Sequence, residues 1–266
     1  MHDYLVFQLY GPIAAWGDIA VGETRPSTMT PSKSAVVGLV AAALGLRRPD
    51  TAQTEAQRSE WELDHLALAD GYGMAIKVDA VGVPLTDYHT VQVPSSGTGR
   101  NRQFFATRRD ELNRGPKSDL NTILSRREYR QDVYYAIALW ARSQAPHTLR
   151  ELRQALLEPR FVLYLGRKSC PLGLPLHPEI KQGETIEAVL ANLSIENVLS
   201  QLVEAGGGSG RRKSGQGIQQ DLPLLVWDSD AETGLSPEQT ITRRDASTSR
   251  RRWQFATREE HQAYLR

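Results

Sequence analysis

A single cysteine, Cys170, rules out an internal disulfide and fits a reducing compartment such as the cytoplasm. Long apolar runs are missing as well. The longest candidate, Ala35 to Leu46, falls short of the roughly 18 residues that a membrane-crossing helix needs, so no membrane partner is expected. The chain opens on MHDYLVF, which reads as a strand without a basic stretch ahead of an apolar one, and a secretory leader is not expected. The histidines (His2, His65, His89, His147, His177 and His261) stand too far apart for two to act as ligands on one helix or hairpin, and Cys170 is alone, so no zinc site is expected. GxSxG, HExxH and paired DxD motifs are absent, which removes the familiar serine-hydrolase and zinc-protease classes.

Net charge is nearly absent too, at +1, but its distribution is uneven. Asp50 to Asp70 holds six acids against one base, Arg58, whereas Arg100 to Arg130 holds nine bases against four acids, a surplus of five. Two later clusters are also basic: Arg211, Arg212 and Lys213, then Arg243, Arg244, Arg250, Arg251 and Arg252. Arginine dominates in all of them, and its planar fork suits phosphates and base stacking. Segregated basic stretches on a near-neutral chain imply one polyanion-facing surface and another surface for something else; solvated faces with local ion pairs are the alternative for any one cluster.

What is present reads as a mixed chain. Residues 3–10 form an apolar strand, and Ser32 to Leu46 a helix capped by Ser32 or Ser34 and stopped by Gly45. A polar helix covers 54–68. Strands are expected at 72–82, at 84–93, at 133–141 (VYYAIALWA) and at 161–165, with a helix over 147–157 between the last two. Residues 94–131 are Arg-rich without a clean period and read as a long excursion from the sheet. The order strand, helix, strand, strand, helix, strand is the ferredoxin-like βαββαβ pattern, an α+β fold. Beyond about residue 176 a smaller, β-rich part is expected, with a flexible loop at 206–217 (GGGSGRRKSGQG) and short strands at 222–227 and 252–256.

Several groups could carry chemistry. Ser32, Lys33 and Ser34 sit at a helix mouth, where N–H groups and the helix dipole favour an anion; Lys33 opposes that dipole, and either a bound anion or bulk water would relieve it. The PSKS turn lacks the glycines of a nucleotide-binding loop, so ATP binding is not expected. GRKSCPLG (166–173) offers Arg167, Lys168 and Ser169 to a phosphate, or is an ordinary connection. Tyr88 and His89 could perform acid–base work on an RNA 2′-hydroxyl, or stack on bases without chemistry. Trp16, Trp140 and Trp253 each admit a place in the core, which Trp140 takes inside its apolar strand, while Trp16 in its loop is open to an interface role.

These stretches together resemble one family. GPIAAWG, TRPS, PSKSAVVGLVAAALG, DYHTVQ, VYYAIALW and EPRFVLYLGRKSCPL are similar, in the same order, to the CasD family, the RAMP-type subunits of type I-E CRISPR Cascade. The resemblance covers residues 1–175, and RRWQFATRE (251–259) matches more loosely. It implies a ferredoxin-like (RRM/RAMP) domain over 1–175, a thumb-like hairpin insertion at about 90–131, and a small C-terminal β-rich region over 176–266. It implies binding of the crRNA 5′ handle, contacts with the backbone subunits and the large subunit, only an indirect relation to target DNA, and no cofactor. RNA contacts are then expected from Arg25, Ser32, Lys33, Ser34, His89, Arg108, Arg109, Arg126, Arg127, Arg167, Lys168 and Ser169. The resemblance implies no catalysis. The alternative is a metal-independent endoribonuclease that processes repeat RNA with Tyr88, His89 and Lys33.

Overall fold

The structure is a computed structural model that describes residues 1–94, 105–113, 115–194 and 222–266. The loop 206–217 and its basic cluster, together with Arg100, Arg102 and Arg114, lie outside the described residues. Among the described residues the chain runs β1 (His2–Ala14), β2 (Thr24–Arg25), α1 (Lys33–Leu44), α2 (Glu55–Asp70), β3 (Tyr72–Ala80), β4 (Val83–Pro94), α3 (Arg108–Asn113), β5 (Leu120–Ala141), α4 (Leu149–Leu157), β6 (Glu179–Gly183), α5 (Ile186–Leu190), β7 (Leu224–Asp228), β8 (Gln239–Ser249) and β9 (Gln254–Tyr264).

The strands form one sheet in the order β6-β1-β5-β3-β7-β9-β8, with β2 and β4 added to β5. β1 is antiparallel to both β5 and β6, and β3 is antiparallel to β5. Both faces of the sheet are covered, which explains why β3 is buried along its whole length rather than alternating. Leu5, Phe7, Met74, Ile76, Tyr135 and Ile137 meet α1, α2 and α4 through Val36, Val40, Leu68, Leu152 and Leu156. On the opposite face Tyr4, Val6, Ala75 and Ala138 meet Ile186 and Leu190 of α5, with Leu225 and Trp227 of β7. Burying each of these larger side chains contributes about 1.5–3 kcal/mol, which is the main force holding helices to sheet.

One expected strand is corrected, and two further segments take a form that local patterns did not print. Residues 161–165 are not a strand: Leu163 and Leu165 are buried in alternation, but only a single bridge, Tyr164 to Pro171, forms there. The segment closes on itself instead, Leu165 N–H donating to the Cys170 carbonyl at 2.7 Å. The strand beside β1 comes from EIKQG, too polar and short to show a pattern; an edge strand needs backbone hydrogen bonds more than apolar side chains. Among its described residues the excursion over 94–131 ends in regular structure, because β5 begins at Leu120 and pairs with β4 from Val83↔Gln131 to Pro94↔Leu120. Such a two-stranded ribbon has no buried face to print a period on its sequence. Beyond residue 175 the chain rejoins the sheet: β6 pairs with β1, and β7 pairs with β3 from Ala75↔Trp227 to Val78↔Leu224.

Candidate nucleic-acid interface

The β4/β5 ribbon organises the basic residues. Neighbouring residues of a strand point to opposite faces, so Tyr88 and His89 are turned apart. Tyr88 is 65% exposed and stands opposite Arg126, whose guanidinium lies 5.6 Å from the ring centroid. His89 faces the other way, with its Nε2 at 2.5 Å from Asp87 Oδ2. A Tyr/His pair acting together on one hydroxyl is therefore not what the strand presents.

The inner end of the ribbon is tied to two loops. β2 runs parallel to β5, with Thr24 beside Arg126 and Arg25 beside Arg127, and Arg126 N–H donates to the Glu23 carbonyl at 2.9 Å. Arg167 reaches in from the loop after residue 165. Its guanidinium donates to the carbonyls of Glu128 (3.1 Å) and Arg25 (3.2 Å) and covers the Tyr129 ring at 4.5 Å. Gly166 lets that loop approach: its φ is +86°, and a Cβ there would stand 1.8 Å from the Ala15 carbonyl oxygen. The backbone thus brings Arg25, Arg126, Arg127 and Arg167 to one end of the ribbon from three distant stretches of chain, Arg126 on the Tyr88 face and Arg127 on the His89 face. Lys168 and Ser169 are exposed at the tip of the same loop, while Cys170 is buried, which pushes its thiol up and leaves it inert.

Arg108 and Arg109 lie elsewhere, on α3 at the outer end of the ribbon. Arg108 pairs with Glu111 at 2.5 Å and donates to the Gln92 carbonyl, whereas Arg109 is exposed without an ion pair among the described residues. The four residues from Tyr88 to Gln92 put the two basic groups about 13 Å apart along the strand.

The helix mouth overturns its expectation. Ser32 caps α1 by accepting from Ala35 N–H at 3.2 Å, and the anion at the first turn is the chain's own Asp245, which accepts from Lys33 N–H at 2.7 Å. Lys33 does not reach solvent: its ammonium is buried on Asp228 at 2.5 Å. Burial pushes that ammonium down from its usual value, and the Asp228 carboxylate opposes the fall. Ser34 Oγ is 3.0 Å from Ser32 Oγ and belongs to the same capped turn. Ser32→Ala is therefore expected to cost about 1 kcal/mol of folding stability, read as a lower urea midpoint at unchanged slope; an unchanged midpoint would remove the cap from the account.

Lys33 belongs to a buried ion network that sequence reasoning missed. Asp228 also receives Arg142 at 3.2 Å and Arg258 at 2.9 Å, and Arg258 further contacts Asp245 (2.7 Å) and Glu260 (2.6 Å). The network walls a cavity of about 170 Å³ between α1, β7 and β8. Its partners are up to 212 residues apart, beyond any local pattern; the sole hint was a charge ending the apolar run LLVWD. Trp16 proves to be core as well: its indole N–H donates to the Tyr135 hydroxyl at 3.1 Å, edge-on to that ring. Tyr135 in turn donates to the Met29 carbonyl, and burial pushes its hydroxyl far up. Among the described residues no group of three His, Cys, Asp or Glu side chains could hold a metal, and no helix is long and apolar enough to cross a membrane.

A mixed sheet flanked by helices, with an arginine-lined ribbon, agrees with what comparison finds. Residues 4–260 match the model of a family described as CRISPR-associated protein (Cas_Cas5), and the chain belongs to that family. It is 36% identical over 196 residues to the CRISPR system Cascade subunit CasD of Escherichia coli (strain K12), a span of 72% of this chain and 77% of that one. In fold it is similar to a chain of a CRISPR RNA-guided surveillance complex (TM-score 0.56, 21% identity, 98% of this chain and 90% of that one). It is likewise similar to a crystal structure of a Cas protein (TM-score 0.53, 23% identity, 98% and 94%).

Proposed function

We propose that the protein is the non-catalytic RNA-binding subunit of a type I-E CRISPR Cascade complex. In this reading it holds the 5′ handle of the crRNA, caps the filament of backbone subunits and contacts the large subunit, and so meets target DNA only through the assembly. The observation that carries the reading is the arginine-rich inner end of the ribbon, where Arg126 lies beside exposed Tyr88 on one face, Arg127 stands on the other, and β2 and the 166–170 loop bring Arg25 and Arg167 against the same strand. Kinship with a protein named as a Cascade subunit supports it. The strand order β6-β1-β5-β3, with crossover helices on one face, supports a ferredoxin-like core; the β4/β5 ribbon with α3 then serves as the thumb, and β7–β9 extend the same sheet.

The chemistry follows from the residue types. Arginine forks, Lys168 and Ser169 take phosphates, which supply affinity that weakens with salt. Tyr88 takes a splayed base by stacking, and His89 and Arg127 meet the strand on the other face of the ribbon. Arg109 extends the track to the outer end. Ser32, Lys33 and Ser34 are left out, since the fold itself occupies them. The nuclease alternative is disfavoured because its three residues do not converge: Tyr88 and His89 sit on opposite faces, and Lys33 is buried on Asp228.

The test is incubation of the purified full chain, in EDTA, with labelled repeat RNA, read on native and denaturing gels. A handle-specific shift with intact RNA is expected, with His89→Ala weakening the shift by no more than about tenfold, as for one lost stacking or hydrogen-bond contact. A discrete cut within the repeat that His89→Ala abolishes would overturn the reading in favour of the nuclease.

A further inference from the structure

Another basic cluster of the chain stands on the β8–β9 hairpin, three strands of the sheet removed from β5. Ser249 pairs with Gln254, so residues 250–253, Arg-Arg-Arg-Trp, form the tip. Trp253 closes that turn at φ +52°, a left-handed conformation that glycine or asparagine adopts readily and a bulky side chain adopts at a cost. The turn geometry alone gives no reason for tryptophan, and the ring is not used as core either: it is 52% exposed. Two guanidinium groups lie near it instead, Arg48 at 4.8 Å and Arg250 at 5.9 Å from its centroid.

The charges around it are unequally spent. Arg48 pairs with Asp50 at 2.6 Å, and Arg251 with Glu55, its N–H donating to Glu62 at 2.8 Å. The side chains of Arg47 and Arg252 are exposed and make no ion pair or hydrogen bond among the described residues. Arg250 donates to the Ser34 carbonyl at 3.1 Å and has no carboxylate within ion-pair distance. Burial, with the like charge of Arg48 added, pushes its guanidinium down, and Glu62 opposes this only in part. The tip thus offers an exposed indole with the guanidinium of Arg250 over it, while Arg252 next to it in sequence and Arg47 next to Arg48 carry charge that no carboxylate among the described residues takes.

We propose that Trp253 is a stacking platform for an unpaired nucleotide strand, with Arg252, Arg47 and Arg250 taking the flanking phosphates, at a site separate from the ribbon. An indole stacks on any base, and arginines near it follow the backbone, so the site is tolerant of sequence. The strand is either RNA or single-stranded DNA; both present the same bases and phosphates, and experiment separates them. The inference does not depend on the ribbon reading.

The experiment uses the full chain carrying Arg126→Glu and Arg127→Glu, which silences the ribbon. Fluorescence anisotropy follows binding of labelled oligo-uridine and oligo-deoxythymidine twelve-mers, which lack repeat sequence. Trp253→Ala in that background is expected to weaken binding about tenfold or more, and Trp253→Phe to retain it within about threefold. Tighter RNA binding marks a transcript as the source, and tighter DNA binding a displaced target strand. Unchanged affinity in Trp253→Ala for both probes, or no binding of either probe by the ribbon variant, would overturn the proposal. Photocrosslinking of the unsubstituted chain to 4-thiouridine and 5-iododeoxyuridine probes guards against a variant that fails to fold. Crosslinks at residues 250–255 are expected, and crosslinks confined to other segments would sink the idea.

Discussion

Asp228→Ala is expected to cost about 3–5 kcal/mol of folding stability, the range for removing one partner of a buried ion pair. The reason is what remains behind. Asp228 is 4% exposed and accepts from Lys33, Arg142 and Arg258 and from the Met74 N–H at 3.2 Å. Without it, one buried ammonium loses its only carboxylate partner among the described residues, and two guanidinium groups lose part of theirs. The loss falls where α1, β3 and β9 meet β7, so it should loosen the attachment of the C-terminal strands as well as lower global stability. For a chain of this size the drop in Tm is about 10 °C, measurable by calorimetry or circular dichroism. A fall below about 1 kcal/mol would mean that water already screens the network through its cavity. Replacing Lys33 and Asp228 together by Met and Leu should recover much of the loss, because an apolar pair of similar size removes the unpaired charge.

Arg126→Glu with Arg127→Glu is expected to lower affinity for handle RNA by about a hundredfold or more. Two phosphate contacts are lost and two repulsive charges gained beside Arg25 and Arg167. Salt provides the sharper measurement. For a single-stranded ligand each lost phosphate contact reduces the slope of log K against log salt by about 0.7, so the double variant should lose about 1.4. Folding stability should hardly change, since Arg126 is exposed and neither guanidinium has an ion pair among the described residues. An unchanged slope would mean that these arginines do not touch the RNA backbone, whatever happens to affinity.

Local signals carried a definite share of this structure. The strand at residue 3, the helix from Ser32 to its stop at Gly45, the polar helix after Thr54 and the buried run VYYAIALWA all formed where propensity, capping residues and burial agree over a few neighbouring positions. Cap residues and apolar periods act within one or two turns, so the chain states them outright. The arginine surplus between 100 and 130 was equally plain, as was the family to which the quoted motifs belong.

The uses of the residues were another matter. Lys33 at its helix mouth looked ready for an external anion, yet the fold delivers Asp228 and Asp245 to it from about 200 positions away. Tyr88 and His89 looked like a pair until strand geometry turned them to opposite faces of a ribbon. Arg25, Arg126, Arg127 and Arg167 gather at one end of the ribbon, on its two faces, only because β2 and a closed loop are laid against β5. By itself the sequence determined the capped helices, the apolar strands and how much positive charge the protein has to place, since those properties depend on neighbours. Tertiary structure alone decided which charges are buried against one another and which stay exposed, because pairing and desolvation are set by distances between residues that sequence order does not encode.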